Sequence, residues 1–348
     1  MYNKRIVIDF DDTLAFTKNR EWAKAEPNTD LIRKCNGLYD SGWTIDIFTA
    51  RGSISCPTRS EAEEKYGPQI KSWLSRNNVK YHSLSFDKPL AAYYIDDKGI
   101  SPELFLDTDI RALEGGLSGS DIYTDGQLVH KTDKNSHEAA AWLKYAMYHD
   151  INVPKVERVV GDTLTMEYID ADHDYFVDHH YKAIALIQNT LDAMSLVEEP
   201  NKELTFDDYI GRIVGHAKKA DVVMFDDITE RLTKLDMQPS FSHGDFGIKN
   251  MLFYNEIRHG AELCLIDPIP TCFGNKQLDI AKLIASLIIN KYSYTQQELT
   301  MKALCIYNNL DIKEQWLLVA AEIIRVYKYH PDKDFIIQCV NDILPEID

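Results

Sequence analysis

Short apolar runs alternate with amphipathic stretches over the first 110 residues of the chain. The apolar runs predict buried strands, and the amphipathic stretches predict helices with one buried face. Strands are predicted at residues 5–10, 43–48, 79–82 and 92–95, and helices at residues 29–41 and 61–77. This alternation is typical of an α/β fold with a doubly wound, Rossmann-like parallel sheet, whose ligands bind at the carboxyl ends of the strands.

The pattern changes near residue 110. Residues 110–168 contain short strand-like runs with one helical stretch at 136–149, and the chain beyond residue 175 is largely helical. The stretches at 277–290 and 315–328 are rich in Leu, Ile and Ala, as core helices are. A small β-rich lobe followed by a larger helical lobe predicts a two-lobed, protein-kinase-like α+β domain.

The length of 348 residues also favours two domains, because one domain usually has about 100–200 residues. We predict a first domain at residues 1–108 and a second at residues 109–348. Within the second domain, residues 109–169 form the predicted small lobe and residues 170–348 the predicted helical lobe.

The formal net charge of −17 argues against a nucleic-acid partner, because basic patches supply the affinity of such proteins. The six cysteines are scattered without a CxxC pair, which favours reduced thiols over zinc or disulfides. No apolar run is long enough to span a bilayer, and the N-terminus leads straight into the first predicted strand. We therefore expect a cytoplasmic protein; the oligomeric state is left open.

Functional side chains follow the predicted strands of the first domain. The first strand ends in the pattern Asp-x-Asp-x-Thr at residues 9–13, and the second ends at Thr49. Lys88 precedes the fourth strand, which ends in Asp96 and Asp97. A carboxylate nucleophile needs a metal to neutralise charge and a second acid to protonate the leaving oxygen. This chemistry suits Asp9 as nucleophile and Asp11 as general acid and base.

The ordered set of Asp-x-Asp-x-Thr, Thr, Lys and Asp-Asp resembles the haloacid dehalogenase superfamily of phosphatases. The resemblance covers roughly residues 4–106 and implies Thr49 and Lys88 as phosphate ligands. It also implies that Mg²⁺ is held by Asp9, by the backbone carbonyl of Asp11, and by Asp96 or Asp97. Asp12 stands where many members have Gly.

The segments in which this superfamily inserts cap domains are short, so the phosphatase domain is expected to lack a cap. The runs Phe-Thr-Ala-Arg at residues 48–51 and Tyr-Ile-Asp-Asp-Lys at residues 94–98 resemble those of capless phosphatases associated with surface-polysaccharide (capsular polysaccharide) biosynthesis.

The second domain carries the pattern His-x-Asp-x4-Asn at residues 243–250, and a short apolar run then ends at Asp267. Kinase chemistry needs a carboxylate near the acceptor hydroxyl, and an amide and a second carboxylate for Mg²⁺ on the nucleotide phosphates. Asp245 suits the first role, and Asn250 and Asp267 suit the second. The pattern resembles the aminoglycoside phosphotransferase and choline kinase family over about residues 110–348. His243 is expected to be structural, and Asp279 matches a family position that braces the catalytic loop.

The same resemblance implies an ATP site in the small lobe. A Gly- and Ser-rich turn at residues 114–120 would approach the phosphates through backbone N–H groups of Ser118, Gly119 and Ser120. Lys131 would bind phosphate and pair with Glu138, which opens the predicted helix at 136–149. Glu167 and Ile169 would belong to the hinge that binds the adenine ring.

The sequence therefore predicts a bifunctional enzyme, a Mg²⁺-dependent phosphatase fused to an ATP-dependent kinase. The expected partners are a nucleoside triphosphate, a phosphorylated small molecule and a hydroxyl acceptor of the sugar, polyol or amino-alcohol class. Two alternatives stay open. One is a nucleic-acid end-repair phosphatase and kinase, although no G-x-x-x-x-G-K-[ST] loop is present. The other is a phosphatase with a non-catalytic, kinase-like substrate-binding module.

Overall fold

The computed structural model describes residues 4–17, 24–91, 99–113, 120–198, 205–220, 222–256, 260–269 and 274–347. The contacts divide the chain into two compact units, Met1–Val129 and His130–Asp348. The domain boundary after residue 108 stays a prediction. Of the helices formed by the described residues, none is long and apolar enough to cross a bilayer.

Helices and strands alternate in the first unit, as the sequence pattern predicts. Its elements are β1 (Arg5–Asp9), β2 (Ala15–Phe16), β3 (Glu26–Pro27), α1 (Thr29–Asp40), β4 (Thr44–Phe48), α2 (Arg59–Arg76), β5 (Ser83–Ser85), α3 (Pro102–Asp107), β6 (Arg111–Ala112) and β7 (Asp121–Thr124). The strand predicted at residues 92–95 lies outside the described residues.

The first unit is built on a parallel sheet in which the described strands have the order β1-β4-β5. Ile8 and Ile47 of this sheet are buried against helix residues such as Leu31 and Ile70. Asp9 lies opposite Phe48 in the register of β1 and β4, so the residues that follow both strands emerge at one edge. The parallel sheet is confirmed for these three strands, whereas the described residues do not show the larger doubly wound sheet.

The strand predicted at residues 79–82 lies instead at Ser83–Ser85. The difference arises at the end of α2, where Asn78 has a φ of 53° and the Val79 N–H donates to the carbonyl of Leu74 at 3.0 Å. This turn buries Val79 beside the helix. Pairing with β4 begins only with the His82 N–H, which donates to the Ile45 carbonyl at 2.7 Å.

The second unit begins with short strands and continues with helices, which confirms the predicted order. Its elements are β8 (Leu128–Thr132), which starts just before it, α4 (Ser136–Tyr148), β9 (Val156–Val160), β10 (Thr163–Glu167), α5 (Tyr175–Asp178), α6 (His180–Ser195), α7 (Phe206–Ala220), α8 (Val223–Leu232), β11 (Met251–Glu256), β12 (Gly260–Leu265), α9 (Lys276–Ile289), α10 (Tyr294–Asn308), α11 (Ile312–Tyr327) and α12 (Lys333–Ile347). Strands β8, β10 and β9 are neighbours in that order.

The helical part of the second unit is centred on α9 and α11, which pack against each other. Ile280 and Ile284 of α9 and Ile323 of α11 are fully buried, which explains the apolar composition of both stretches. The β11–β12 hairpin interrupts the helices, with Met251 opposite Leu265. The residues that flank the hairpin, Asn250 and Ile266, are therefore neighbours.

Candidate active sites

The first candidate site lies at the carboxyl end of β1. The Nζ of Lys88 is 2.7 Å from Oδ2 of Asp9, and the Phe10 N–H donates to Oδ1 of Asp9 at 2.9 Å. Burial raises the pKa of Asp9, and the opposing effect of Lys88 does not cancel this increase. The predicted nucleophile and the predicted phosphate-binding lysine are thus in direct contact.

Asp11 is held from two sides at the same edge of the sheet. The Thr49 hydroxyl donates to Oδ2 of Asp11 at 3.2 Å. Arg51 forms a bidentate ion pair with Asp11. Nε of Arg51 is 3.2 Å from Oδ2 of Asp11, and Nη2 of Arg51 contacts Oδ1. The Arg51 guanidinium also lies 4.9 Å from the centre of the Phe10 ring. Arg51 is 8 % exposed, so this pair is largely shielded from water.

The structure brings four predicted residues together, namely Asp9, Asp11, Thr49 and Lys88. Asp96 and Asp97, the remaining predicted metal ligands, lie outside the described residues. Asp9 and Asp11 offer oxygen donors, which Mg²⁺ prefers, so the described part of this site fits that ion.

Arg51 was not predicted as a site residue. The signal that could have found it is the spacing Thr49-x-Arg51 directly after β4, where the Arg51 N–H also donates to the Thr49 hydroxyl at 3.0 Å.

The second candidate site lies around the β11–β12 hairpin. The Ile266 N–H donates to the Asn250 carbonyl at 3.0 Å, which fixes Asp267 next to Asn250. Asp267 has a φ of 59°, an uncommon backbone conformation for a residue other than glycine. Its carboxylate forms an ion pair with Lys131 of β8. The structure therefore brings together three predicted nucleotide- and metal-binding residues.

Asp245 stands beside Asn250 and two cations. The Asn250 amide donates to Oδ2 of Asp245 at 2.9 Å and to the Asp245 carbonyl at 2.8 Å. Oδ1 of Asp245 is 3.0 Å from Nζ of Lys282 and 3.5 Å from Nη2 of Arg325. Burial acts to raise the pKa of Asp245, but Lys282 and Arg325 outweigh it, so the pKa lies below the usual range of aspartate. The carboxylate is therefore ionised at neutral pH and can accept a proton.

Asp279 of α9 holds the backbone of the loop at residues 243–250, which confirms its predicted bracing contact. Its carboxylate accepts hydrogen bonds from the N–H groups of His243 at 2.8 Å and Gly244 at 3.0 Å. Gly244 has a φ of 76°, and a Cβ there would lie 2.3 Å from the Ile269 carbonyl oxygen, so only glycine fits. Burial lowers the pKa of His243, and its neutral ring packs edge-on against Trp142. Both observations agree with a structural role for His243.

The predicted pair of Lys131 and Glu138 does not form. Glu138 is exposed in the first turn of α4, whereas the ammonium of Lys131 is directed to Asp267. Glu167 is exposed at the end of β10, where the Lys155 N–H donates to its carboxylate at 3.3 Å. Ile169 and Ser120 are half-buried, and Ser118 and Gly119 lie outside the described residues.

Lys282, Glu322 and Arg325 were missed by sequence reasoning. Lys282 follows Asp279 by three residues in α9, so a helical pattern places both on one face of that helix. Glu322 and Arg325 have the same spacing in α11, but the sequence carries no signal that brings α11 to Asp245.

The second site also offers oxygen donors to a metal ion. The Asp267 carboxylate and the Asn250 amide oxygen fit Mg²⁺, which binds through one or two carboxylates together with substrate phosphates. Among the described residues, no group of three or more His, Cys, Asp or Glu side chains could hold a metal ion.

Neither a family model nor a curated protein matches the chain. Among solved structures, a choline/ethanolamine kinase family protein from Mesorhizobium loti is 14% identical; the match covers 69% of this chain and 88% of that chain, with a TM-score of 0.50. A Plasmodium vivax ethanolamine kinase is 13% identical over 71% of this chain and 83% of its own, with a TM-score of 0.47. A structural-genomics target from Vibrio cholerae is 26% identical over 30% of this chain and 88% of its own, with a TM-score of 0.27. Of these three, the first shows that the chain contains a two-lobed, protein-kinase-like fold.

Proposed function

We propose that residues 109–348 form an ATP-dependent kinase that phosphorylates a hydroxyl group of a sugar, a polyol or an amino alcohol. The observation that carries this proposal is the surroundings of Asp245. Its carboxylate has a lowered pKa despite burial, because Lys282 and Arg325 lie beside it, and it accepts a hydrogen bond from Asn250. An ionised carboxylate near the acceptor is what a kinase uses to orient the hydroxyl and accept its proton.

The neighbouring residues supply the other parts of this chemistry. Asp267 and Asn250 would hold Mg²⁺, and Lys131 would exchange Asp267 for a nucleotide phosphate when ATP binds. Mg²⁺ bound with ATP neutralises the phosphate charge. The acceptor oxygen forms a bond to the γ-phosphorus while the bond from phosphorus to the β–γ bridging oxygen breaks. ADP leaves with that electron pair, and the hydroxyl proton moves to Asp245.

Ser118, Gly119, Ser120, Glu138, Glu167 and Ile169 remain the predicted contacts of the nucleotide. Phosphate binding by Lys131 does not require Glu138, because Asp267 already positions the Lys131 ammonium.

For residues 1–108 we propose a Mg²⁺-dependent phosphatase. The contact of Asp9 with Lys88 and the position of Thr49 and Asp11 at the same sheet edge support it. Asp9 forms a bond to phosphorus while the ester P–O bond breaks. Asp11, which must first leave its ion pair with Arg51 and take up a proton from solvent, gives that proton to the leaving oxygen. Water then attacks the phosphoaspartate, Asp11 takes the proton of the water, and Asp9 leaves the phosphorus with its electron pair.

A kinase and a phosphatase that opposed each other on one phosphate would only consume ATP. We therefore propose that they act at different positions of one small polyol or sugar, in the cytoplasm, and supply precursors of a surface polysaccharide. The net effect would be to relocate a phosphate.

Separation of the two activities tests the proposal. We expect Asp245→Asn to lower the rate of phosphoryl transfer from ATP by about 10²–10⁴-fold and to leave phosphatase activity intact. Asp9→Asn should lower phosphatase activity and leave phosphoryl transfer from ATP intact. The measurement is ³¹P NMR of reactions with ATP, Mg²⁺ and a panel of sugar and polyol phosphates. Asp30→Asn and Asp342→Asn, exposed on α1 and α12, control for loss of a carboxylate.

Three outcomes would contradict parts of the proposal. Unchanged ATP turnover in Asp245→Asn would remove the kinase assignment, and no turnover in the wild type would favour a non-catalytic binding module. Unrelated substrate sets for the two activities would contradict the shared pathway. A gel shift with nicked or single-stranded DNA would favour end repair.

A further inference from the structure

One arginine links two segments of the first candidate site. Arg59 is the first residue of α2, and its side chain is half-buried. Its Nη2 donates to the backbone carbonyl of Lys88 at 2.9 Å, and its Nη1 donates to the hydroxyl of Ser53. The guanidinium group therefore lies between the loop that precedes α2 and the segment that carries Lys88.

The Ser53 side of this bridge leads back to the end of β4. The Ser53 hydroxyl donates to the carbonyl of Ala50, and the Ser53 N–H donates to the same carbonyl at 3.1 Å. Ala50 stands between Thr49 and Arg51 in the sequence. Both of these neighbours contact the carboxylate of Asp11. The bridge thus begins at the segment that holds Asp11.

The Lys88 side of the bridge lies outside regular secondary structure. The described residues 86–91 belong to no helix or strand, and all of them except Phe86 and Lys88 are exposed. Nζ of Lys88 nevertheless lies 2.7 Å from Oδ2 of Asp9, and the Lys88 side chain is only 16% exposed. The hydrogen bond from Arg59 holds the Lys88 backbone at a point where pairing in a sheet does not.

The loop between β4 and α2 is itself held in place. Gly52 has a φ of 88°, and a Cβ there would lie 2.6 Å from the Cβ of Ala62, so the loop packs tightly against α2. The hydroxyls of Ser55 and Tyr66 are 2.8 Å apart, which joins the loop to the same helix a second time. The acceptor hydroxyl of Ser53 therefore belongs to a loop with a defined conformation.

The stability of α2 does not explain a cation at this position. The N-terminus of a helix carries a partial positive charge, so an arginine in the first turn is electrostatically unfavourable. The cap of α2 does not involve Arg59 either, because the Thr58 hydroxyl accepts the hydrogen bond of the Glu61 N–H at 3.2 Å. What Arg59 supplies is a planar fork of N–H groups that reaches two acceptors at once.

We propose that Arg59 is a positioning residue of the phosphatase, which acts through Lys88 and not by contact with the substrate. It holds the Lys88 backbone against the loop that follows β4, so that the ammonium group meets the phosphoryl group attacked by Asp9. A lysine that binds this group equally in the substrate and in the transition state affects KM more than kcat. The inference rests on the proposed phosphatase function and adds a residue that this function needs.

Steady-state kinetics of the full chain test this inference, with p-nitrophenyl phosphate at saturating Mg²⁺. We expect Arg59→Met to raise KM by about tenfold or more, as the loss of one charged hydrogen-bond donor implies, with a smaller change in kcat. Arg59→Lys should restore part of the loss, because an ammonium group can reach one acceptor but lacks the fork. Arg76→Met removes an exposed cation from the last turn of the same helix, and as the matched control it should change neither constant. The melting temperature of each variant shows whether it has folded.

A double-mutant cycle separates positioning of Lys88 from direct binding of the phosphate. In a Lys88→Met background, the further change Arg59→Met should alter KM by less than about twofold, because the side chain that it positions is gone. Hydrogen exchange followed by mass spectrometry, without substrate, gives a readout that needs no turnover. We expect residues 86–91 to exchange faster in Arg59→Met than in the wild type, and α1 to exchange at the wild-type rate.

Three results would overturn the inference while the phosphatase function stands. The first is an unchanged KM in Arg59→Met, with or without a fall in kcat. The second is an equal rise in KM in the Lys88→Met background, which would mean that Arg59 binds the phosphate itself. The third is unchanged exchange at residues 86–91, which would mean that other contacts hold the Lys88 backbone. If the wild-type protein hydrolyses neither p-nitrophenyl phosphate nor the sugar and polyol phosphates, the proposed phosphatase fails, and the inference fails with it.

Discussion

Asp279 couples the stability of the loop at residues 243–250 to pH. Burial raises its pKa to about 7, and the hydrogen bonds from His243 and Gly244 only partly oppose this. The folded protein therefore keeps a proton on Asp279 between about pH 4 and pH 7, where the unfolded chain has released it. The stabilisation from this difference is complete below about pH 4 and is lost as the pH rises through 7.

Replacement of Asp279 by Asn removes this pH dependence. Asn can accept only one of the two backbone hydrogen bonds, so we expect lower stability at every pH below 7. The gap between wild type and Asp279→Asn should shrink from pH 4 to pH 7, by at most on the order of 4 kcal/mol. Urea unfolding at several pH values measures it. A constant gap would show that Asp279 is ionised throughout, and Asp342→Asn, exposed on α12, serves as control.

Single residues were predictable where a motif is local in sequence. Asp9 and Asp11 follow one strand, and Asp245 and Asn250 share one loop, so spacing alone marked them. Their partners were not predictable in the same way, because ion pairs depend on tertiary packing. Lys131 illustrates this, since it pairs with Asp267, which is 136 residues away, and not with the nearby Glu138.

At the level of elements, long periodic stretches predicted helices well. The helices predicted at 277–290 and 315–328 are observed at Lys276–Ile289 and Ile312–Tyr327, because their apolar residues face the core. The strand prediction at 79–82 was wrong, because so short an apolar and aromatic run does not reveal that Val79 belongs to the turn after α2. The β11–β12 register, which joins Asn250 to Ile266, is likewise fixed by pairing in space.

The N-terminal cap of α11 stabilises the helix that carries Glu322 and Arg325. Asp311 accepts hydrogen bonds from the N–H groups of Lys313 and Glu314, each at 2.9 Å. We expect Asp311→Ala to lower the free energy of unfolding by about 0.5–2 kcal/mol, the usual cost of losing a cap. Because the cap is about three turns from Glu322, kcat should stay unchanged.

Asp311→Asn is the matched variant, since Asn also caps helices and should lose only a few tenths of a kcal/mol. Thermal unfolding measures both variants. Equal losses for Ala and Asn would show that the charge of Asp311, and not its hydrogen bonds, stabilises the helix.

At the level of the whole molecule, the sequence predicted that an α/β fold precedes a kinase-like fold, because the two folds differ in their patterns of apolar residues. The kinase-like fold is observed, whereas the fourth strand of the first sheet, predicted at residues 92–95, lies outside the described residues. The net charge of −17 is a property of the whole composition and of no single motif. Both proposed reactions nevertheless act on phosphates, which are also negatively charged.

This charge predicts an unusual response of the first site to salt. Lys88 and Arg51 are each paired with a carboxylate, so the described side chains of the site are balanced, and the surrounding negative charge repels a phosphate ester. Salt screens this repulsion beyond about 10 Å at 0.1 M ionic strength. We therefore expect kcat/KM for p-nitrophenyl phosphate to rise between 10 and 200 mM NaCl at constant saturating Mg²⁺. Glu63→Gln with Glu64→Gln, both exposed on α2, should weaken the rise. A fall with salt would mean that the local cations dominate the field at Asp9.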